Sequence, residues 1–189
     1  MAGRRRPRDR DTAVRQAPDP ATALAIAAQF LGTRPRTRRE VELRLRRAGA
    51  ADEVIGGTLE HLESLGLVDD LAFVRWWAQQ RDRHAPRGRR MVEAELRRHG
   101  VPREVITDLR DEELAEAAPD GEVMPESEDE RAALALARHL RGRPFPEDAK
   151  GRQRLGAFLM RRGFDPETVR AVLRLTGQAP AAIDGEGER

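Results

Sequence analysis

The segment 87–101 reads RGRRMVEAELRRHGV, and its pattern of cations, apolar residues and one glycine decides how this chain folds. The pattern returns at 36–50 (RTRREVELRLRRAGA) and, more loosely, at 150–164 (KGRQRLGAFLMRRGF). When the three glycines are aligned, a leucine lies four residues before each and Val or Leu lies eight before each. Apolar residues four apart share one face of a helix. The sequence therefore predicts one helical unit repeated three times.

A glycine at the end of each predicted helix has a mechanical reason, because the turn that ends a helix commonly takes a left-handed backbone conformation. In that turn the residue after the glycine packs back on the leucine four before the glycine. Each unit also has a helical segment upstream and a helix start signal downstream, so three helices are predicted per unit. The upstream segments are 22–31, 71–84 and 130–140; the back-contacts pair Ala50 with Leu45, Val101 with Leu96 and Phe164 with Leu159; the start signals are Asp52, Val101-Pro102 and Asp165-Pro166.

The composition favours several small cores over one large core. Only 4% of the 189 residues are aromatic, 36% are charged, and the mean hydropathy is -0.70. No strand-like alternation persists, so the predicted fold is all-α. No apolar run approaches the ~18 residues of a membrane span, and the Arg-rich start lacks the apolar segment of a secretory signal. These features predict a cytoplasmic protein that does not enter the membrane.

Charge is unevenly distributed and suggests the domain boundaries. Residues 1–50 hold 13 Arg against 5 acids, whereas residues 111–130 hold ten acids and no cation. The spacing between glycines grows from 51 to 63 residues, and the acidic stretch is expected to account for the extra 12. The predicted divisions are a disordered Arg-rich extension at 1–18, repeats at 19–66, 67–110 and 130–176, an acidic linker at 111–129, and a disordered tail at 177–189.

No residue set supports catalysis or metal binding. Cysteine is absent, serine occurs twice, and the four histidines never lie at a paired metal-binding spacing. A non-enzymatic protein without cofactor or metal is therefore expected. The acidic pair Asp69-Asp70 precedes a predicted helix and is interpreted as a cap, and at least one of Trp76 and Trp77 is expected to be buried with Phe73.

The repeated cations are the candidate contact residues. Cations recur thirteen, eleven and two positions before each glycine, where the helix face is expected to meet solvent. They are either a solvated face or a ridge that binds carboxylates or phosphates. Base-specific reading is not favoured, because Gln153 is the only Asn or Gln on those helices. The candidates are Arg36, Arg38, Arg39, Arg87, Arg89, Arg90, Lys150 and Arg152.

An ordered set of residues between about Ala21 and Leu173 resembles the RecX family of recombination regulators. The specificity of the match lies in the combination and order of its pieces. The set comprises Leu67-Val68-Asp69-Asp70 followed by Phe73, then Arg81, Gly88, Arg90, Val92, Glu95-Leu96 and Gly100-Val101, and later Arg161-Arg162-Gly163-Phe164.

This resemblance implies three tandem three-helix repeats in an elongated, curved array. It also implies a function: binding to the RecA recombinase, largely in the groove of its filament on single-stranded DNA, which inhibits filament growth, ATP hydrolysis, strand exchange and coprotease activity. The protein is expected to act as a monomer and to contact single-stranded DNA weakly or through the filament. The alternative is an independent DNA-binding module built from basic helix-turn-helix-like repeats.

Overall fold

The computed structural model describes residues 16–107, 125 and 127–178, and these ranges contain nine helices and no strand. The predicted all-α fold is confirmed. In chain order the helices are α1 (Pro20–Leu31), α2 (Arg38–Ala48), α3 (Asp52–Ser64), α4 (Asp70–His84), α5 (Arg89–Arg98), α6 (Arg103–Thr107), α7 (Glu128–Leu140), α8 (Ala149–Arg161) and α9 (Pro166–Gln178).

The helices form three consecutive triplets, and each triplet encloses its own small core. Helices that pack closely on one another belong to the same triplet, so α1–α3, α4–α6 and α7–α9 are repeats 1, 2 and 3. Each core is one narrow stripe of buried apolar side chains, as the low aromatic content predicts. The stripes are centred on Val41, Leu45 and Leu59 in repeat 1, on Phe73, Leu96 and Ile106 in repeat 2, and on Leu136, Leu159 and Phe164 in repeat 3.

The three aligned glycines end the middle helix of each repeat in the predicted manner. Gly49, Gly100 and Gly163 have φ angles of 86°, 81° and 89°, in the left-handed region. The amide of the following residue donates to the carbonyl of the leucine four before the glycine, at 3.2, 3.1 and 3.3 Å. These turns satisfy carbonyls that the helix leaves unpaired at its end.

The predicted start at Asp165-Pro166 is confirmed, since α9 begins at Pro166 and the Asp165 carboxylate accepts the Thr168 amide at 2.9 Å, whereas several other helix starts differ from the predicted ones by one or two residues. Helix α1 begins at Pro20, capped by the Asp19 carboxylate, which accepts the Thr22 amide at 2.8 Å. Helix α7 begins at Glu128, inside the predicted linker, because the Ser127 hydroxyl caps it. Asp52 is the first residue of α3 and not its N-cap. Residues 1–15, 108–124, 126 and 179–189, which carry most of the predicted extension, linker and tail, lie outside the described residues.

The extra length of the third unit has two sources, which corrects the prediction that the acidic stretch supplies all of it. Gly49 and Asp70 are 21 positions apart, whereas Gly100 and Glu128 are 28 apart, a difference of seven. The other five extra residues lie after α7 begins. Most of them are in the α7–α8 connection, 141–148, which has eight residues where the α4–α5 connection, 85–88, has four.

Helix α4 carries the acidic and aromatic pairs. The Asp69 carboxylate accepts the amides of Leu71 and Ala72 at 2.8 and 3.0 Å, so its predicted capping role is confirmed. Both tryptophans are half-buried, and their ring centroids lie 5.6 and 5.9 Å from that of Phe73. The expected contact with Phe73 is present, but neither tryptophan is fully buried.

Neighbouring repeats are joined by one hydrogen-bonding arrangement used twice. At the first junction the amide of Arg38, which opens α2, donates to the carboxylate of Asp70 at 2.9 Å. At the second junction the amide of Arg89, which opens α5, donates to the carboxylate of Glu128 at 2.8 Å. In both cases an acid at the start of the next repeat satisfies an N-terminal amide of the middle helix.

The helix-ending glycines complete the same junctions. The Thr37 hydroxyl donates to the His99 carbonyl at 2.7 Å, and the Gly88 amide donates to the Arg162 carbonyl at 2.9 Å. Both acceptors directly precede a helix-ending glycine, namely Gly100 and Gly163. The glycine of one repeat therefore lies against the start of the middle helix of the preceding repeat, and the three units dock in chain order.

Candidate partner and nucleic-acid interface

The repeated cations of repeat 1 surround the start of α2 and are engaged within the protein. The Arg36 guanidinium lies 4.0 Å from the Phe30 ring centroid and donates to the Phe30 carbonyl at 3.3 Å. Arg38 pairs with Glu63 at 2.7 Å, and Arg39 pairs with Glu42 at 2.9 Å. Arg38 and Arg39 remain about half exposed, so their guanidiniums can exchange these carboxylates for those of a partner at small cost.

In repeat 2 the cations divide between an internal and an external role. Arg87 pairs with the Glu95 carboxylate, which is 3% exposed and also accepts from Trp77 Nε1 at 2.9 Å and from Arg81 Nε at 2.7 Å. Because this carboxylate is buried, its charge has to be balanced, and Arg87 shares that role with Arg81. Arg89 and Arg90 are exposed, and Arg90 forms no ion pair within the described part of the chain.

In repeat 3 the two candidates are fully on the surface. Lys150 is exposed in the first turn of α8, and the exposed Arg152 donates to the carbonyl of Glu147. The loop before α8 caps the start of that helix, since the Asp148 carboxylate accepts the Gly151 amide at 3.1 Å.

The expectation that all the repeated cations face solvent is therefore wrong for Arg36 and Arg87. Both are half-buried, and desolvation by burial lowers the pKa of each guanidinium. The Phe30 ring offsets the desolvation of Arg36, and the buried Glu95 carboxylate offsets that of Arg87. The exposed candidates lie at the starts of three different helices, and they remain predicted contact residues.

A second basic surface, which the repeat pattern did not predict, lies between repeats 2 and 3. We call it the inter-repeat groove. It has a volume of ≈ 540 Å³, and it separates the end of α4 from the end of α7 and the α7–α8 connection. Its lining includes four arginines and two histidines, namely His84, Arg138, His139, Arg141, Arg143 and Arg162.

Backbone carbonyls hold three of these guanidiniums in place. Arg138 donates to the Asp82 carbonyl at 2.8 Å, and Arg162 donates to the Pro86 carbonyl at 3.0 Å. Arg143 donates to the carbonyls of His139 and Leu140 at the end of α7, at 3.1 and 3.0 Å. A carbonyl orients a guanidinium without cancelling its positive charge. The groove is thus ordered and strongly cationic.

The electrostatics of His139 report that positive potential. Desolvation by burial, followed by Arg143, Arg162, Arg161 and Arg141, lowers the pKa of the His139 imidazole below its usual value. Its ring stacks on Phe158, with the two centroids 3.9 Å apart. The groove therefore combines guanidiniums with the imidazole of His139, which the Phe158 ring holds in place from behind.

One sequence signal could have located this groove. The α7–α8 connection is longer than its counterpart in repeat 2, and Arg141 and Arg143 lie in it. An alignment of the units on their glycines superimposes the middle helices but does not distinguish extra residues in this connection from extra residues in the acidic stretch.

Other classes of site are not found in the described ranges. No three His, Asp or Glu side chains there are grouped so that they could hold a metal ion. None of the helices described combines the length and apolar character needed to cross a membrane.

Three family models match the chain in the order of the repeats. The first three-helix domain of RecX matches residues 23–62, the second matches 69–109, and the third matches 127–173. Each match covers one helix triplet, and its bounds lie within five residues of those of the triplet.

Relatives and solved structures agree with these matches. A protein named regulatory protein RecX from Prosthecochloris aestuarii is 35% identical over 157 residues, covering 82% of this chain and 93% of the relative. One of the same name from Mycolicibacterium smegmatis is 36% identical over 154 residues, 79% of each chain. The crystal structure of RecX from Lactobacillus salivarius superimposes with a TM-score of 0.68 at 15% identity, covering 85% of this chain and 97% of that one. The chain belongs to the RecX family of regulatory proteins.

Proposed function

We propose that this protein regulates the RecA recombinase by binding its filament on single-stranded DNA and inhibiting its recombinase, ATPase and coprotease activities, and so modulates recombination and DNA repair, including the SOS response. The observation that carries the proposal is the match of all three repeats to RecX domains, together with relatives named regulatory proteins over most of the chain. The activity is non-enzymatic and requires no cofactor. The protein acts in the cytoplasm as a monomer.

The arrangement of the repeats supports binding to a long partner. Three units docked in chain order each present an exposed cationic side chain near the start of the middle helix, represented by Arg38, Arg90 and Lys150. A filament repeats the same surface along its length, so several weak contacts can form at once. Contacts of this kind add through effective concentration, even when each contributes little. Because the cations are exposed, raising the salt concentration should weaken the complex.

The proposal is tested by RecA's DNA-dependent ATP hydrolysis. Substoichiometric protein should slow hydrolysis on single-stranded DNA at low salt, because each bound molecule affects a filament of many subunits. Hydrolysis that is unchanged at equimolar protein would overturn the proposal. Adding the protein before and after filament assembly separates inhibition of growth from inhibition of the finished filament.

The contact surface is tested by reversing two exposed charges together, Arg89→Glu and Arg90→Glu. Inhibition of RecA should fall at least severalfold while the circular dichroism spectrum keeps its helical form. The matched control is Arg44→Glu with Arg47→Glu on α2, which reverses two exposed cations away from a helix start. If both double variants inhibit as well as the original chain, the ridge at α5 is not the interface.

The second candidate is an independent DNA-binding module, and the cationic inter-repeat groove is the observation that favours it. Affinity measured without RecA separates the two functions. Nanomolar, sequence-selective binding would support the independent module, whereas weak, salt-sensitive binding would support the regulator of RecA.

A further inference from the structure

The inter-repeat groove is built from residues that depart from the repeat pattern. Arg141 has φ 50° and ψ 47°, and it is the only residue other than glycine with positive φ in the described ranges. This left-handed conformation is unfavourable for a residue with a side chain, and glycine or asparagine would adopt it more easily. The chain nevertheless places an arginine there, at the end of α7 and on the edge of the groove.

Carboxylates are missing from the lining of the groove. Among the described residues that line it, four are arginine, two are histidine, and none is Asp or Glu. Asp82 lies beside the groove, but its carboxylate is directed to Arg131 at 2.8 Å and the residue is 5% exposed. Arg138 donates to the backbone carbonyl of Asp82 instead. The positive charge of the groove is thus left for a ligand to balance.

We infer that the inter-repeat groove binds the phosphates of single-stranded nucleic acid, with Arg138, Arg141, Arg143 and Arg162 as the cations that contact them. The inference rests on the proposed function, which supplies single-stranded DNA as the ligand. It assigns the direct contact between this protein and DNA to the inter-repeat groove. Guanidiniums bind phosphate oxygens through paired N–H donors, which suits four arginines around one concavity.

Two features favour a single strand over an acidic peptide or a duplex. His139 and Phe158 provide stacked rings beside the arginines, and base stacking on aromatic side chains is the common partner of phosphate contacts in single-strand binding. The arginines surround one concavity of ≈ 540 Å³, and a flexible single strand can follow a concave surface more closely than a stiff duplex can. An acidic peptide would use the arginines but would have no need of the rings.

The test is direct binding of a fluorescein-labelled oligothymidylate, followed by anisotropy in the absence of RecA. The groove variant is Arg138→Gln with Arg141→Gly, since glycine adopts the left-handed backbone conformation at 141 more easily than arginine does and so keeps this turn. The control is Arg44→Gln with Arg47→Gln on α2, which removes the same charge from repeat 1. The groove variant should bind about tenfold more weakly and show a shallower salt dependence, by about 0.7 in log–log slope for each phosphate that the variant no longer neutralises. The control should change less than twofold.

Equal weakening in both variants would overturn the inference, because net charge alone would then explain binding. Equal affinity for a duplex or for polyglutamate of similar length would overturn the assignment to a single strand. Because RecA is absent, failure here leaves the ATPase test of the proposed function unaffected.

A second readout follows the His139 imidazole by NMR during a pH titration. Desolvation by burial and, after it, the nearby arginines lower the pKa of His139; a bound phosphate opposes the second of these causes, so saturating oligothymidylate should raise the pKa of His139. His61 on α3 is exposed in repeat 1 and serves as the internal control. An unchanged pKa of His139 at saturation would also overturn the inference.

Discussion

The three helix-ending glycines have the same backbone conformation but different surroundings. At Gly49 an added β-carbon would meet nothing within 4 Å. At Gly100 it would lie 2.6 Å from the β-carbon of Arg39, and at Gly163 it would lie 2.5 Å from the β-carbon of Met91. All three positions need glycine for the turn, but the last two need it also because the preceding repeat packs directly on them.

This difference predicts how alanine should affect each site. Gly49→Ala should cost about 1–2 kcal/mol, the penalty of the left-handed conformation for a residue with a side chain. Gly163→Ala should cost about 1–3 kcal/mol more, because the methyl group displaces the start of α5, where the Met91 amide would lie only 2.8 Å away. Urea unfolding of both variants measures this. Equal destabilisation would mean that repeats 2 and 3 do not pack at this glycine.

Glu40 gives the first junction a dependence on pH. Burial would raise the pKa of its carboxyl, but hydrogen bonds from Arg34 and His99 outweigh that effect and leave the pKa below its usual value. Between the two pKa values the folded state therefore binds fewer protons than the unfolded state. The contribution of Glu40 to stability is present above the unfolded pKa, about 4.3, and is lost as the pH falls through the folded pKa.

Glu40→Gln should remove this contribution while keeping the capping box, which accepts either residue. The urea midpoint of the original chain should fall more steeply with acidification than that of the variant between about pH 5 and pH 3. Parallel profiles would show that the Glu40 charge contributes nothing to the junction.

At the scale of the helix, Thr37 has two tasks that can be separated. Its hydroxyl accepts the Glu40 amide at 3.1 Å, which caps α2, and it donates to the His99 carbonyl at 2.7 Å, which joins repeats 1 and 2. Thr37→Ala removes both bonds and should cost about 2 kcal/mol, roughly 1 for each. Thr37→Ser retains both and should cost under about 0.5 kcal/mol.

Thr37→Asp separates the two bonds, because an ionised carboxylate caps the helix but cannot donate to a carbonyl. Its destabilisation should fall between those of the serine and alanine variants when measured by urea unfolding at pH 7. An aspartate variant as stable as the serine variant would show that the bond to His99 carries no stability.

The sequence predicts the helices well and the junctions poorly, for a physical reason. Caps such as Asp69 and turns such as Gly100 are local, so nearby residue types reveal them. The junction acids Asp70 and Glu128 bond to amides 32 and 39 residues away, and their spacing differs because the second interval is longer. Residue type alone cannot show that a backbone amide will meet a carboxylate so far along the chain. The groove depends on the same docking, although the longer α7–α8 connection marks one of its edges in the sequence.

At the scale of the whole molecule, the starts of the three middle helices are covered in two different ways. In repeats 1 and 2 the start of the middle helix is covered by the next repeat. In repeat 3 the loop before α8 does this instead: Asp148 caps the helix, and Pro146 occupies the space that a β-carbon on Gly151 would need. The start of α8 therefore needs no neighbouring repeat to cover it, which is a feature of capping units in other repeat proteins.

The buried ion pair of Asp82 in α4 and Arg131 in α7 joins repeats 2 and 3, and we expect it to couple their unfolding. Its atoms are 2.8 Å apart, and each residue is 5% exposed. Arg131→Met leaves the buried carboxylate without its partner and should cost about 3–5 kcal/mol, with repeat 3 unfolding in a separate, earlier transition. Adding Asp82→Leu removes the unpaired charge and should recover most of that stability and restore a single transition in urea. The exposed pair of Arg97 and Glu93 is the control, since Arg97→Met should cost under about 0.5 kcal/mol. If Arg131→Met costs no more than Arg97→Met, the buried pair does not couple the two repeats.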